Sequence, residues 1–413
     1  MPRDSTAAAT MVGKPPLPLR ILIVHNRYQI RGGEESVVDA EIALLRGHGH
    51  EVRLYERDNH DIDGKSRLVL LRDTLWSPSS HADVTRLINE FQADVVHVHN
   101  TLPLVSPSVY WAVDAAPRGV ALVQTLHNYR WFCPKATLLR DGKICEDCIG
   151  KVAWRAVVHR CYRDSAVQSA VMAATYGLHT ALGSLHRHAD RIIALSEFAR
   201  DKYVANGFPA ALMAIKPNFV SDPGPDTQST PDRTGFLYVG RLSEEKGPHV
   251  LVEAAGQMTE LRFEIAGGGP LAAQLPARSN VVYSGTVSAD AVRDKMRRAR
   301  MLVLPSLCYE GLPMTLVEAY CSGLPVLASR LGPLATLVED GVTGLLFTPG
   351  DARDLADKLR WADEHPEAVR DMGIAARQAY LDHYTPESNY RQLMAIYREA
   401  IVHRRATAGL TGA

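Results

Sequence analysis

The segment Glu310-Gly311-Leu312-Pro313-Met314-Thr315-Leu316-Val317-Glu318 sets two carboxylates eight residues apart. Pro313 suits the first position of a helix, where its missing N–H costs nothing, so Glu310 is expected in the entering loop and Glu318 on the second turn. The backbone N–H groups between Gly311 and Met314, that of Leu312 among them, would then point outward beside Glu310. A helix start carries partial positive charge and unpaired donors, which suit a phosphate, whereas carboxylates suit sugar hydroxyls. A sugar nucleotide has both parts. In isolation the same pair describes an amphipathic helix with a solvated acidic end, so other segments must carry the decision.

Two cations supply the next evidence. Arg241 and Lys246 lie in Tyr238-Val239-Gly240-Arg241-Leu242-Ser243-Glu244-Glu245-Lys246-Gly247, directly after an apolar run. At the carboxyl end of a strand in a doubly wound sheet they would meet the ligand, and a departing diphosphate needs such charges. Glu244 and Glu245 leave a salt-bridged surface turn as the alternative. Near the start of the chain, Arg31-Gly32-Gly33-Glu34-Glu35 leads from a strand into a helix. Its two glycines let backbone approach a ligand closely, and a turn needing positive φ is a compatible reading. His127, in Gln124-Thr125-Leu126-His127-Asn128-Tyr129, closes another strand, where an imidazole could face the same ligand. His97 and His99 read as core or cleft-wall residues.

These segments need a scaffold, and the chain alternates apolar strands with amphipathic helices, the pattern of a helix-wrapped parallel α/β sheet. Residues 21–25, 94–99, 121–127 and 191–196 read as strands of a first domain. Residues 236–240, 262–267, 281–285, 301–305, 325–329 and 344–347 read as strands of a second. With 413 residues, two domains of about 200 each are expected. We read residues 1–18 as a disordered leader, 19–217 as the first domain with a Cys-rich insertion at 131–163, 218–235 as a Pro-, Ser- and Gly-bearing linker, and 236–385 as the second domain. Residues 386–413 form a terminal helix and tail, with Tyr390, Leu393, Met394, Tyr397 and Ile401 on one face. The apolar stretch 166–185 is broken by Gln168, Thr175 and His179, so a buried helix fits better than a membrane span.

Lys plus Arg and Asp plus Glu both number 46, giving zero formal net charge. That balance argues against a dedicated nucleic-acid binder, which needs a basic excess. With no export signal evident, a cytoplasmic protein is expected. Cys133, Cys145, Cys148 and Cys161 have the spacing Cys-x11-Cys-x2-Cys-x12-Cys. Four thiolates with one close pair can close a structural zinc site, four unligated cysteines are the competing reading, and disulfides suit a reducing compartment poorly. Residues 151–163 carry Lys151, Arg155, Arg160 and Arg163 with Trp154 and Tyr162 and no acid, a basic aromatic helix able either to rest on anionic lipid at the inner face of the plasma membrane or to be a solvated face.

The Glu-x7-Glu segment, preceded by Pro305-Ser306 and followed by Ala319-Tyr320-Cys321-Ser322-Gly323-Leu324-Pro325-Val326, resembles the donor site of family 4 retaining glycosyltransferases. The resemblance covers roughly residues 20–400 and implies the GT-B fold: two Rossmann-like domains facing a central cleft, with the C-terminal helix crossing back to the first. It implies that Gly32 and Gly33 lie under the donor diphosphate and that the Arg241–Lys246 segment binds it. His127 would hydrogen-bond the donor sugar, Glu310 would orient its hydroxyls and Glu318 would hold the ribose. Gly267-Gly268-Gly269-Pro270 is similar to the family's second glycine segment, and Val287 would meet the nucleotide base through its backbone. No Asp-x-Asp triplet stands among these donor segments, so metal-independent transfer without a catalytic cofactor is expected. The implied reaction moves a hexosyl unit from a UDP- or GDP-sugar to a saccharide or lipid-linked saccharide, with the anomeric configuration retained. Another enzyme on the same scaffold, such as a sugar-nucleotide epimerase or phosphorylase, and a non-catalytic nucleotide-sugar-binding protein are the alternatives.

Overall fold

A computed structural model of the chain describes residues 18–116, 119–224 and 233–407. The first domain is a six-stranded parallel sheet of β1 (Arg20–Arg27), β2 (Glu51–Asp58), β3 (Val95–Val98), β4 (Ala121–Leu126), β5 (Arg191–Ala194) and β6 (Met213–Ile215), in the order β2-β1-β3-β4-β5-β6. The central strands are buried on both faces, which is why they read as unbroken apolar runs such as Ile21-Leu22-Ile23-Val24. The second domain repeats the plan with β7 (Phe236–Val239), β8 (Phe263–Ala266), β9 (Val281–Gly285), β10 (Met301–Leu304), β11 (Val326–Ser329) and β12 (Gly344–Phe347), ordered β9-β8-β7-β10-β11-β12. In each sheet the order reverses beside its first strand, and the loops leaving that strand's carboxyl end open onto a crevice.

All ten expected strands are present to within two residues at either end. Strand β2 was not expected, because Glu51-Val52-Arg53-Leu54-Tyr55-Glu56-Arg57-Asp58 is mostly charged; it lies at the sheet edge and buries only Val52 and Tyr55. The short β6 occupies the opposite edge. The stretch 166–185 holds a helix over Ala166–Ala181, and no helix of the described residues is long and apolar enough to cross a membrane.

The terminal helix spans Pro386–Thr407 and seats Leu393, Met394, Ile396, Tyr397 and Ala400 against Ile21, Ile23, Val95, Val123 and Ile193 of the first domain. The crossing back is therefore present. The leader to residue 17, residues 225–232 of the linker and the tail after 407 lie outside the described residues. The described start of the linker runs along the second domain's last helices, where Val220 accepts from Tyr380 Oη at 2.8 Å.

One expected element is corrected. Residues 151–163 do not form one basic helix: the helical part is Trp154–Val158, and Arg160 and Arg163 adopt positive φ, which an L-residue cannot propagate as a helix. The basic face is also partly neutralised from outside the segment, since Arg155 faces Asp147 at 3.4 Å.

Candidate functional site

Between the two sheets lies a cavity of about 620 Å3. From the second domain it takes Arg241, Lys246, Ser306, Glu310, Gly311, Leu312, Pro313, Met314 and Glu318; from the first, Gly32, Gly33, Glu34, His127 and Arg130. The segments singled out from sequence thus converge, with two exceptions. Gly268 and Val287 are not among the residues that line the cavity. Gly268 instead packs beside Thr286, whose Oγ1 would lie 2.9 Å from an added Cβ, so the second glycine turn and the loop after β9 meet each other rather than the cleft wall.

Lys246 and Glu310 are the centre of the arrangement. Lys246 Nζ lies 2.7 Å from both carboxylate oxygens of Glu310, and Ser306 Oγ donates to Oε1 at 2.7 Å. Burial works against the Lys246 ammonium, but the Glu310 carboxylate beside it more than compensates and raises its pKa. An ammonium has three donors, and the two Glu310 contacts leave one for a ligand. Arg241 is the freer cation: its side chain is 67% exposed and only loosely faces Glu245 at 3.8 Å.

The helix beyond Glu310 begins later than its proline implies. It runs Met314–Cys321 with Pro313 as the N-cap in extended conformation (φ −63°, ψ 120°), so the outward N–H groups are those of Met314 and Thr315, not of Gly311 and Leu312. The N–H of Leu316 already bonds the Pro313 carbonyl at 3.1 Å. Glu318 keeps its place on the second turn, and burial pushes its carboxyl up. Gly311 has a different task from phosphate binding. A Cβ there would stand 2.5 Å from the His127 carbonyl oxygen, so the absence of a side chain lets the two domains touch. Tyr129 Oη reinforces the contact by donating to the Glu310 carbonyl at 3.1 Å.

On the opposite wall, Gly32 caps the helix Gly33–Gly47, and Glu35 Oε2 accepts from the Gly32 N–H at 2.8 Å while its Oε1 accepts from Tyr28 N–H at 2.9 Å. This holds the glycine loop open toward Met314, whose Cγ would lie 3.2 Å from a Cβ on Gly33. His127 follows β4 and its Nε2 meets His99 Nδ1 at 2.9 Å. Burial, together with His99 and His25, keeps the His127 ring neutral, with a pKa well below the usual value.

Behind His127 runs a buried polar chain of which the sequence reading saw only His97 and His99, as core or cleft-wall residues. Glu41 Oε1 lies 3.0 Å from His97 Nδ1 and 3.4 Å from His99 Nε2, and Lys216 Nζ reaches Glu41 Oε2 at 3.1 Å. Burial disfavours the Glu41 anion, yet Lys216 and the two histidines hold its pKa well below the usual range. The terminal helix joins in: Tyr397 Oη bonds His97 Nδ1 at 2.8 Å and Asn389 Oδ1 accepts from Lys216 at 3.2 Å. Among the described residues Glu41, His97 and His99 are the one group of three metal-ligating side chains with mutually close ligand atoms, but Lys216 already supplies the countercharge.

Glu34 and Arg130 were also missed. Tyr28 Oη donates to Glu34 at 3.2 Å, and Arg130 lies over the Tyr28 ring at 5.8 Å. The Gly-Gly-Glu-Glu signal was visible, but nothing local brought Arg130, almost 100 residues further on, to the Tyr28 ring beside Glu34. A separate cavity of about 520 Å3 is lined by Arg57, His60, Asp61, Lys65 and Asp73. The chain's one Asp-x-Asp triplet, Asp61-Ile62-Asp63, begins there, away from the donor segments.

Two facing Rossmann-like domains with a shared cleft and a crossing terminal helix define the GT-B class of glycosyltransferases. Solved structures of that class align over nearly the whole chain: Anabaena HepE in complex with UDP-glucose (TM-score 0.64, 18% identity, 92% of this chain and 99% of that one) and sucrose-phosphate synthase from Thermosynechococcus elongatus (0.67, 18%, 93% and 99%). The family model described as Glycosyltransferase Family 4 matches residues 31–222, and that described as Glycosyl transferases group 1 matches residues 225–379. The chain belongs to the family 4 glycosyltransferases. It is similar to the alpha-D-kanosaminyltransferase of Streptomyces kanamyceticus (27% identical over 296 residues, 68% of this chain and 71% of that protein) and to a D-inositol 3-phosphate glycosyltransferase of Mycobacterium sp. strain JLS (23% over 421 residues, 91% and 88%).

Proposed function

We infer that this glycosyltransferase moves a hexosyl unit from a UDP- or GDP-sugar to a saccharide or lipid-linked saccharide, retaining the anomeric configuration and using no catalytic metal. The observation that carries this reading is that Lys246, Arg241 and the Met314 helix start line one cavity together with Glu310 and Glu318. The spare Lys246 donor and the Arg241 guanidinium would offset charge on the departing diphosphate, while the outward N–H groups of Met314 and Thr315 hold its oxygens. Glu310, fixed by Lys246 and Ser306, would present its remaining lone pairs to sugar hydroxyls. The acceptor hydroxyl would attack the anomeric carbon on the face the phosphate leaves and pass its proton to the departing phosphate oxygen. His127, neutral and anchored by His99, would hydrogen-bond the sugar without adding charge.

Calorimetric titration with UDP and with GDP in EDTA tests the donor site. One nucleotide should bind the wild type at micromolar Kd, and Lys246→Ala should weaken it at least tenfold, about 1.4 kcal/mol. Binding of neither nucleotide overturns the assignment.

The lipid-linked acceptor rests on the surface of the insertion. Val152, Trp154 and Val158 are exposed among Lys151, Arg155 and Arg160, an apolar and basic rim suited to anionic lipid despite the short helix. Arg155→Glu with Arg160→Glu should abolish sedimentation with anionic liposomes and leave nucleotide binding intact; unchanged sedimentation rejects membrane docking.

A further inference from the structure

We propose that Glu41 and His99 are positioning residues that fix the tautomer of His127, so that its Nδ1 meets the donor sugar as a hydrogen-bond acceptor and selects a hydroxyl there. The identity of the ligand rests on the inferred donor site; the tautomer follows from the protons along the buried chain. That chain begins at a full charge. Lys216 Nζ lies 3.1 Å from Glu41 Oε2 and 3.2 Å from Asn389 Oδ1, with all three side chains buried, so the Glu41 carboxylate has its countercharge on one oxygen. Its other oxygen, Oε1, faces His99 Nε2 at 3.4 Å and His97 Nδ1 at 3.0 Å. Neither Oε1 nor His99 Nε2 makes a hydrogen bond of regular geometry to anything else. A neutral imidazole carries its single N–H on one of two nitrogens. On Nε2 of His99 that proton lies between the ring and the anion, whereas on Nδ1 it would leave a bare lone pair against a carboxylate in a site without water, where such contacts are strongest. A second proton on His99 would be an uncompensated buried charge, since Lys216 already balances Glu41.

The remaining protons follow bond by bond. His99 Nδ1 is bare and accepts from His127 Nε2 at 2.9 Å; the two rings lie 20° from parallel with centroids 5.2 Å apart, the separation of an end-to-end N–H···N bond. His25 stands edge-on to His99 at 6.4 Å with neither ring nitrogen hydrogen-bonded, so it adds no competing donor. The His127 proton is therefore on Nε2, and because burial with His99 and His25 keeps that ring neutral, Nδ1 carries none. Among the described residues nothing hydrogen-bonds His127 Nδ1, and the ring lines the same cavity as Glu310. A bare Nδ1 accepts and cannot donate. A sugar hydroxyl satisfies it, whereas a carboxylate or carbonyl at that place sets lone pair against lone pair, and a deoxy position leaves the acceptor unmet. The donor class is thus a hexose with a free hydroxyl at His127, not a uronic acid or a sugar deoxygenated there. The terminal helix governs this from outside the cleft, since Asn389 holds Lys216 and Lys216 holds Glu41.

Long-range proton–nitrogen correlation spectra read histidine tautomers directly. The full chain, labelled with nitrogen-15 histidine, is recorded near neutral pH without ligand, and the two rings are assigned by their loss in His127→Asn and His99→Asn. Both should show a protonated Nε2 and a bare Nδ1; a proton on His127 Nδ1, or on both nitrogens of His99, overturns the proposal. The spectrum needs no nucleotide, so the tautomer and the donor site fail separately. Turnover of a panel of UDP- and GDP-hexoses then tests the positioning. His99→Leu should lower kcat/KM roughly tenfold or more while moving the Kd of the bare nucleotide less than about twofold, because that ligand has no sugar to meet His127. His99→Asn, which keeps an acceptor oxygen near the place of Nδ1, should recover most of the loss. Equal losses in the two variants, or a matching loss of nucleotide affinity, show a packing role and overturn the positioning. Removing the hydroxyls of the accepted sugar one at a time should find one position that costs the wild type roughly tenfold and His99→Leu little; no such position overturns the selection of a hydroxyl. If His99→Leu fails to fold, Glu41→Gln, which keeps the side chain's shape and removes its charge, should mix the two His127 tautomers, and an unchanged spectrum overturns the part given to Glu41.

Discussion

Glu34 lies in the cleft where burial and the neighbouring Glu35 carboxylate oppose its ionisation more strongly than Arg130 and Tyr28 support it, and its pKa is pushed up to about 7. In the unfolded chain the same group titrates near 4.5. The folded protein therefore prefers the neutral carboxyl. The stability it contributes is complete below the unfolded value and is lost as pH rises through about 7. Glu34→Gln should accordingly exceed the wild type in stability at pH 8 by on the order of 1–3 kcal/mol and match it near pH 4. Urea unfolding at the two pH values checks this, and an equal difference at both would reject it. Gly311 makes a sharper demand: Gly311→Ala would drive a methyl into the His127 carbonyl and should cost transfer activity far more than nucleotide affinity, since it displaces one domain from the other while leaving Lys246 and Arg241 in place.

Among the elements, β3, β4 and the helix over Gly33–Gly47 matter through the polar chain they enclose. His25 is pulled down to about 3, chiefly by burial with His99 and Arg27 adding to it, and His97 to about 4 by burial and His99 against the pull of Glu41. These rings are neutral in the fold and take up protons near pH 6.5 once unfolded. Their contribution is thus present above about 6.5 and lost as pH falls toward 4, so unfolding free energy should drop steeply over that window, with His25→Gln flattening the slope. Lys216→Met leaves Glu41 charged and unpaired in the interior and should cost about 3–5 kcal/mol in urea unfolding. The strands bearing these groups were legible because two-sided burial writes itself as apolar runs. Their interior partners were not: the Glu41–Lys216 pair joins residues 175 positions apart, and no local spacing announces it.

For the whole molecule, the legible part of the site was the part built from contiguous loops. Arg241, Lys246 and Glu310 sit on short segments at strand ends, so their convergence followed once the sheets were placed. What escaped sequence reading arises where separate segments meet, as in Gly311 against His127 and Arg130 over the Tyr28 ring. The Lys246–Glu310 pair belongs to both groups, since each residue was recognised for a ligand but their mutual neutralisation appeared only when β7 and β10 lay side by side. Pro313 shows the opposite failure, a correct local preference for a helix start displaced by one residue because the extended conformation suits the N-cap as well.

The terminal helix also sets an order of assembly. Ile21, Ile23, Val95, Val123 and Ile193 of the first sheet face Leu393, Met394 and Tyr397, residues that follow the whole second domain in the chain. Until Pro386–Thr407 leaves the ribosome, the first domain has an uncovered apolar face and an unanswered Lys216 amide partner at Asn389. The domain translated first therefore completes its core only after the second domain has been made, and its exposed sheet is the surface a chaperone would guard in the meantime.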